Sequence, residues 1–442
     1  MMRDSVVLTA RKGTQMETAR QVAAKALLRV DRGGYSQLTL DAALTKARLS
    51  ARDTAFASAL FYGTLERRLT LDHCIAKYAR HPLTDTVAAI LRLAFYQLIY
   101  MDSVPNHAAV DEAVNMTKAM GQRAASGMVN GILRSFLRDG CAIPPVSGNL
   151  PAELAVAFSC SEDLITLFLG WYGEEKTRAL LAASMGRPPI YIRVNTLKTD
   201  ADTLLGHLSK HDCKAVARLL DGNCIEIEGD AVHTVSHKLG FFHVQDVCSQ
   251  QAALALAAKP GERILDVCAA PGAKSFVLAQ QMQNRGEIIS CDIAPARLAL
   301  VEQGARRLDI AIITAKVNDG AKNNELLGQF DRILCDVPCS GLGVLRRKPE
   351  IKYRSAQSLE GLPELQYKIL KTSAHYLKAD GILVYSTCTV NPDENERVVE
   401  AFLREHPDFS PAPFENGVWH KTFLPQPQGG DGFFISRIRR DR

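Results

Sequence analysis

None of the eleven cysteines in this 442-residue chain forms a Cys-x-x-Cys pair, so neither a zinc ribbon nor a thioredoxin-type redox site is indicated. No apolar run approaches the roughly 18 residues that cross a bilayer. The N-terminal stretch MMRDSVVLTARKG carries only a short apolar patch, below the ~7–15 residues of a secretory signal core. The expectation is a protein without membrane or metal, located in the cytoplasm, with reduced thiols that mostly serve as small buried hydrophobes. Strand-like alternation is nearly absent from the first 140 residues. The glycine fingerprint G-x-G-x-x-G is missing as well. That argues against a dinucleotide, whose pyrophosphate needs close backbone approach at several glycines.

What is present is ordinary globular material, 47% hydrophobic and 23% charged, with length for two or three domains. The charge is uneven. Residues 1–140 hold 19 Lys and Arg against 12 Asp and Glu, and the remainder holds 34 against 36. A basic module joined to a near-neutral one suggests a polyanion partner, although such charge also serves solubility. In TARQVAAKALLRVDRG, Val22, Ala26, Leu27 and Val30 have helical spacing. TDTVAAILRLAFYQLIYM is apolar on most faces and reads as the central helix of a bundle. The stretch 140–154, rich in Pro and Gly, reads as a linker, followed by two helical segments. The expected domains are an all-α domain over 1–142, a linker and small α+β RNA-recognition subdomain over 143–237, and an α/β Rossmann-like domain over 238–442. In the last, ERILDVCAAPG, GEIISCDI, AIITAKV, FDRILCDVP and GILVYSTC alternate with helices. That pattern indicates a parallel sheet covered on both faces, with ligands beyond the strands' carboxyl ends.

The first strand runs into DVCAAPGAKS, Asp266 to Ser275. A tight turn at Pro271-Gly272 would open a helix whose N–H groups point at a ligand. The carboxylate of S-adenosylmethionine suits such a helix end. Asp292 closes the second strand, where an acid commonly holds ribose hydroxyls. Asp319 follows the third strand and could accept from an adenine amino group. Each acid alone reads first as a turn or helix cap; three at successive strand ends favour a nucleoside.

The fourth strand delivers Asp336-Val337-Pro338-Cys339 and the fifth Ser386-Thr387-Cys388. Two thiols and a carboxylate at neighbouring strand ends suit methylation of cytosine. Carbon 5 of that ring is a poor nucleophile. A thiolate added to carbon 6 makes an enamine, and a carboxylic acid near the ring nitrogen and amine stabilises the adduct. A second thiol assists release. Lowering a thiol pKa from about 8.5 to 7 gives roughly 15-fold more thiolate, under about 2 kcal/mol. Positioning, worth about 7–11 kcal/mol, has to contribute more. A helix is expected just after Cys388, with Asn391 as N-cap, Pro392 first, and Glu394 completing a capping box. Cys335 and Cys268 lie within apolar strand ends and read as core. Lys274 sits in a first helical turn, facing a carboxylate or solvent. Arg346, Arg347, Lys348, Lys352 and Arg354 suit phosphate contacts, with Tyr353 as a stacking face; a charged surface loop is the alternative.

DVCAAPGAKS, CDI, DVPCSGLGVLRRKPEIKY and VYSTCTVNPDENE together resemble the RNA cytosine-5 methyltransferases of the NOL1/NOP2/Sun family. The pairing of a Pro-Cys with a later Thr-Cys is the specific mark. Residues 1–140 resemble the NusB-like helical RNA-binding module through RLAFYQLIY, NHAAVDEAV and VNGILR. The resemblance implies that Cys388 attacks, Cys339 releases, Asp336 holds the cytosine and Lys274 lines the site. It implies S-adenosylmethionine contacts at Cys268, Ala269, Ala270, Pro271, Gly272, Ala273, Lys274, Asp292, Arg297, Asp319 and Asp336. The partner implied is ribosomal RNA of the small subunit, met by a monomer. Ala273 and Ser275 stand where the family has Gly and Thr, and Thr389 where Ser is common. A DNA cytosine methyltransferase would place its nucleophile at Cys339 and not need Cys388. A non-catalytic assembly or transcription factor would need none of Asp336, Cys339 and Cys388. A nicotinamide dehydrogenase would need the missing glycines.

Overall fold

The computed structural model describes residues 17–414 and 417–441; the apolar patch near the N-terminus lies outside them. The chain divides into two compact units. One ends at Cys160 and takes in Lys348–Glu350; the other comprises the rest from Ser161.

The first unit is helical: α1 (Ala19–Val30), α2 (Ser36–Ala47), α3 (Ala51–Glu66), α4 (Arg68–Ala76), α5 (Asp85–Tyr100), α6 (Asn106–Ala119), α7 (Ser126–Arg138) and α8 (Leu150–Phe158). Its starts are legible chemistry. Thr18 and Gln21 form a capping box on α1, and Ser50 and Thr84 cap α3 and α5. The apolar α5 packs against α1, α3, α4, α6 and α7. Its Phe95 stacks on Phe136 at 4.3 Å. Each such fully buried side chain contributes about 1.5–3 kcal/mol. The compact unit runs on to Cys160 because α8 is bonded into it. Thr70 Oγ1 donates to Val156 O at 2.6 Å, and Leu69 N–H to Ser159 Oγ at 2.9 Å.

The second unit opens with α9 (Glu162–Ala183), broken at Gly173, whose φ of +74° suits glycine. A small antiparallel sheet follows, in the order β2 (Lys214–Leu219), β3 (Cys224–Glu228), β1 (Ile190–Val194), β4 (Phe242–Val244). Helix α10 (Ala201–Leu208) covers it, and α11 (Val235–Lys238) precedes β4. Ile192, Val194, Leu204, Leu208, Ile225 and Phe242 form its core.

The large sheet has eight strands: β5 (Arg263–Asp266), β6 (Glu287–Asp292), β7 (Ile313–Val317), β8 (Phe330–Asp336), β9 (Leu377–Thr387), β10 (Phe409–Pro411), β11 (His420–Phe423) and β12 (Phe433–Arg440). The order is β10-β12-β9-β8-β5-β6-β7, with β11 beside β12. Strands β5 to β9 run parallel, while β10 to β12 are antiparallel additions. Period-two alternation separates two cores. Ile264, Leu334 and Val384 face α12 (Val247–Ala255), α13 (Ala273–Gln281) and α14 (Pro295–Arg307). Leu265, Ile333 and Leu383 face α15 (Leu362–Ala374) and α16 (Glu396–Glu405). The sequence order runs outward through β6 and β7 on one side of β5, and through β8 and β9 on the other. The crevice at that reversal is where such sheets bind ligands.

Candidate active site

The segment after β5 turns at an Ala270–Pro271 cis peptide and enters α13 through Gly272, with φ +111°. A Cβ there would stand 2.7 Å from the Phe276 ring and 3.2 Å from Val301 Cα. Only glycine fits this close approach. Beneath the turn, Asp266 is buried, and its Oδ2 accepts from Ser275 Oγ at 2.6 Å. Its Oδ1 has no hydrogen-bond partner among the described residues. Burial pushes its pKa up to about 7.

Asp292, at the end of β6, is buried, accepts from Ala294 N–H at 2.9 Å and pairs with Arg297 at 3.1 Å. Arg297 Nη2 also donates to Ala270 O at 2.7 Å, tying this acid to the turn after β5. Ile293 beside it is 65% exposed and Val317, ending β7, 55%. Large apolar side chains uncovered beside an acid suit the faces of a purine. Asp319 accepts from Ala321 N–H at 3.1 Å and meets Lys322, whose hydrogen bond lowers its pKa.

At the end of β8, Asp336 accepts from Lys274 Nζ and from Ser386 Oγ, each at 2.8 Å. Burial lowers the Lys274 pKa, but the Asp336 charge and hydrogen bond outweigh it, and the net shift is upward. The ammonium lies over the Phe433 ring, 5.1 Å from its centroid. Cys339 Sγ and Cys388 Sγ are 3.2 Å apart. The hydrogen bond to Cys388 raises the Cys339 pKa most, and burial adds to it. The residues after each thiol are also joined: Ser340 Oγ and Thr389 Oγ1 lie 2.7 Å apart, and Gly343 N–H donates to Cys388 O at 3.0 Å. Cys268 is partly buried beside this crevice, its thiol pushed well up by desolvation, and Cys335 is core.

Two expectations need correction. No helix starts at Pro392. Residues 392–395 form a turn and α16 begins at Glu396. Asn391 Oδ1 takes Asp393 N–H, while the Glu394 carboxylate turns inward to Ser340 N–H, Gln366 and Asn391. No helix dipole therefore acts immediately after Cys388. The basic run is also largely internal. Arg346 is buried against Asp431 at 3.2 Å and donates to Gln426 O. Arg347 joins Asp431 and Asp246. Lys352 is buried, its Nζ 3.2 Å from Met185 Sδ. Arg354 is half-buried and donates to Ser340 O at 3.2 Å, Tyr353 is half-buried, and Lys348 is exposed.

Comparison with known proteins starts from the "Probable ribosomal RNA small subunit methyltransferase B" of Bacillus subtilis. It is 34% identical over 441 residues, covering 96% of this chain and 99% of that protein. The profile described as 16S rRNA methyltransferase RsmB/F matches residues 253–439. The chain belongs to the RsmB/F methyltransferase family. Two further profiles match the other domains: the NusB family over 17–138 and the RsmF/B-like ferredoxin-like domain over 164–232. The all-α, small α+β and Rossmann-like expectation therefore stands. The ribosomal RNA small subunit methyltransferase B of Yersinia pseudotuberculosis is 32% identical, covering 95% of this chain and 98% of that one. Among solved structures, PH0851 shares the fold (TM-score 0.83, 24% identity, 96% of this chain and 98% of that one). A methyltransferase homologue from Pyrococcus horikoshii matches at TM-score 0.59 and 26% identity, over 66% of this chain and all of that one. NSun6 from the same organism, solved with an S-adenosylmethionine analogue, also shares the fold (TM-score 0.59, 21% identity, 63% of this chain and 98% of that one).

The sequence assigns no role to Ser386, Phe433 or Ile293, and it does not show the inward turn of Glu394. Ser386 and Ile293 were findable as neighbours of chosen strand-end residues. Phe433 arrives from β12, for which no local motif signals proximity.

Proposed function

We propose that this chain methylates carbon 5 of a cytosine in 16S ribosomal RNA, using S-adenosylmethionine and a transient covalent bond from Cys388. The observation that carries the reading is the 3.2 Å approach of the two sulfurs beside a carboxylate held by Lys274 and Ser386. The crevice suits the cofactor's chemistry: a buried acid, two uncovered apolar side chains and an unpartnered buried oxygen on Asp266 meet at adjacent strand ends. Asp292 would hold the ribose, Ile293 and Val317 the purine, and Asp319 its amino group. The N–H groups opening α13 would hold the carboxylate. When bound, S-adenosylmethionine supplies the electrophilic methyl group.

The chain's own groups do the rest. Cys388 adds as thiolate to carbon 6 of an unstacked cytosine, and the displaced electron pair makes carbon 5 nucleophilic. Asp336, oriented by Lys274 and Ser386, faces the ring nitrogen and amine and stabilises the adduct. After carbon 5 gives its proton to solvent water, the carbon 5–carbon 6 double bond re-forms and the Cys388 sulfur leaves with its electron pair. Cys339 S–H, in contact with that sulfur, stabilises the departing thiolate. The basic helical unit and the small sheet are assigned to RNA recognition, with Lys348 and Arg354 retaining phosphate-contact roles.

Incubation of the protein with unmodified 16S RNA and labelled S-adenosylmethionine, followed by bisulfite sequencing, tests the assignment. Protection of a cytosine that is lost with Cys388→Ala is expected. Label on a ribose or an exocyclic nitrogen would overturn it.

A further inference from the structure

Each of the two sulfurs sits on its own loop, and one buried acid joins those loops. Glu394 is fully buried. Its Oε2 accepts from Ser340 N–H at 2.8 Å, the amide directly after Cys339, and from Gln366 Nε2 at 2.8 Å. Its Oε1 accepts from Asn391 Nδ2 at 3.0 Å, on the loop after Cys388. Gln366 Nε2 also donates to Pro338 O at 2.9 Å, just before Cys339. From behind, Tyr385 Oη donates to Glu394 O at 2.6 Å. The carboxylate's partners among the described residues are thus neutral N–H groups. A buried acid surrounded in this way holds its neighbours through charge-assisted hydrogen bonds and keeps its own field unneutralised.

That field acts unequally on the sulfurs. Glu394 bonds the backbone beside Cys339, and its charge disfavours a thiolate there, after the larger effects of Cys388 and burial. Lys274, paired with Asp336 at 2.8 Å, interacts electrostatically with Cys388. A negative charge bonded to the Cys339 loop and a positive charge acting on Cys388 both favour the proton on Cys339.

We propose that Glu394 is a positioning residue for adduct release: its carboxylate clamps the two cysteine loops together and keeps the proton of the sulfur pair on Cys339. The inference rests on the covalent reading above and deepens it. At release, the bond from carbon 6 to Cys388 Sγ breaks and the electron pair returns to that sulfur, which the Cys339 S–H then meets. Loosening the clamp slows this step more than the attack.

The test compares turnover on 16S RNA with the fraction of RNA held in a denaturation-resistant complex. Glu394→Gln removes the charge and turns one acceptor into a donor. It is expected to lower turnover about 10-fold or more, raise the covalent fraction several-fold toward that of Cys339→Ala, and leave S-adenosylmethionine affinity unchanged. Glu394→Asp keeps the charge and is expected to return the covalent fraction to the wild-type level. Should Glu394→Gln fail to fold, Gln366→Met, which removes one arm of the clamp, is expected to shift the same ratio by a smaller factor. Reduced turnover with an unchanged covalent fraction, in either variant, would overturn the inference. If Cys339→Ala traps no adduct, the covalent reading falls and takes this inference with it. If it traps adduct while Glu394→Gln does not, the inference alone falls.

Discussion

Arg346→Ala separates a structural role for the basic run from an RNA-contact role. Both Arg346 and Asp431 have side chains only 3% exposed. The guanidinium also donates to the carbonyls of Gln426 and Gly429, which fixes the loop before β12. Removing one member of a buried pair costs about 3–5 kcal/mol, because the other charge stays buried. Arg347 still reaches Asp431, so the lower end, about 3 kcal/mol, is expected. Urea denaturation followed by tryptophan fluorescence reads this as a lower midpoint. RNA affinity, measured under native conditions across a salt series, should keep its wild-type slope, because the guanidinium is buried against Asp431. A phosphate contact would contribute about 0.7 to the log–log slope on a single strand. A midpoint within about 0.5 kcal/mol of wild type, together with a shallower salt slope, would refute the reasoning.

Two further predictions follow from buried groups. Burial pushes His243 down to about 4, so its contribution to stability is present above its unfolded pKa of about 6.5 and is lost as pH falls toward 4. Between pH 7 and 5 this amounts to about 2 kcal/mol. Denaturation midpoints at the two pH values should show that drop, and His243→Gln should abolish it; an equal drop in the variant would remove the assignment. Separately, diamide should oxidise the Cys339–Cys388 pair to an internal disulfide, since the sulfurs already touch. Peptide mapping should find that linkage and a loss of activity restored by dithiothreitol. Linkage between other cysteines would show that the pair is not held as described.

The sequence carried what local chemistry dictates. Runs of Ile, Leu and Val gave the parallel strands. The acids closing β6 and β8 and the Pro-Cys and Thr-Cys pair were visible because each sits in its own short motif. The structure brings Lys274, Asp336, Cys339 and Cys388 together. What stayed hidden depends on distant partners. Arg346 looked like a surface cation because Asp431, 85 residues later, supplies its counter-charge. Asn391 and Glu394 matched a capping box, but buried donors from Ser340 and Gln366 draw the carboxylate inward before a helix can begin. Strand β12, which brings Phe433 to Lys274, carries no motif that would have announced it.

Which sulfur bonds the base is the point on which the chemistry turns. Mass spectrometry of the nuclease- and protease-digested complex formed by Cys339→Ala with 16S RNA and S-adenosylmethionine reads it directly. The expected product is a methylated cytosine residue attached to the peptide containing Cys388. A cytosine on any other peptide, or attachment retained in the Cys339→Ala, Cys388→Ala double variant, would contradict the account.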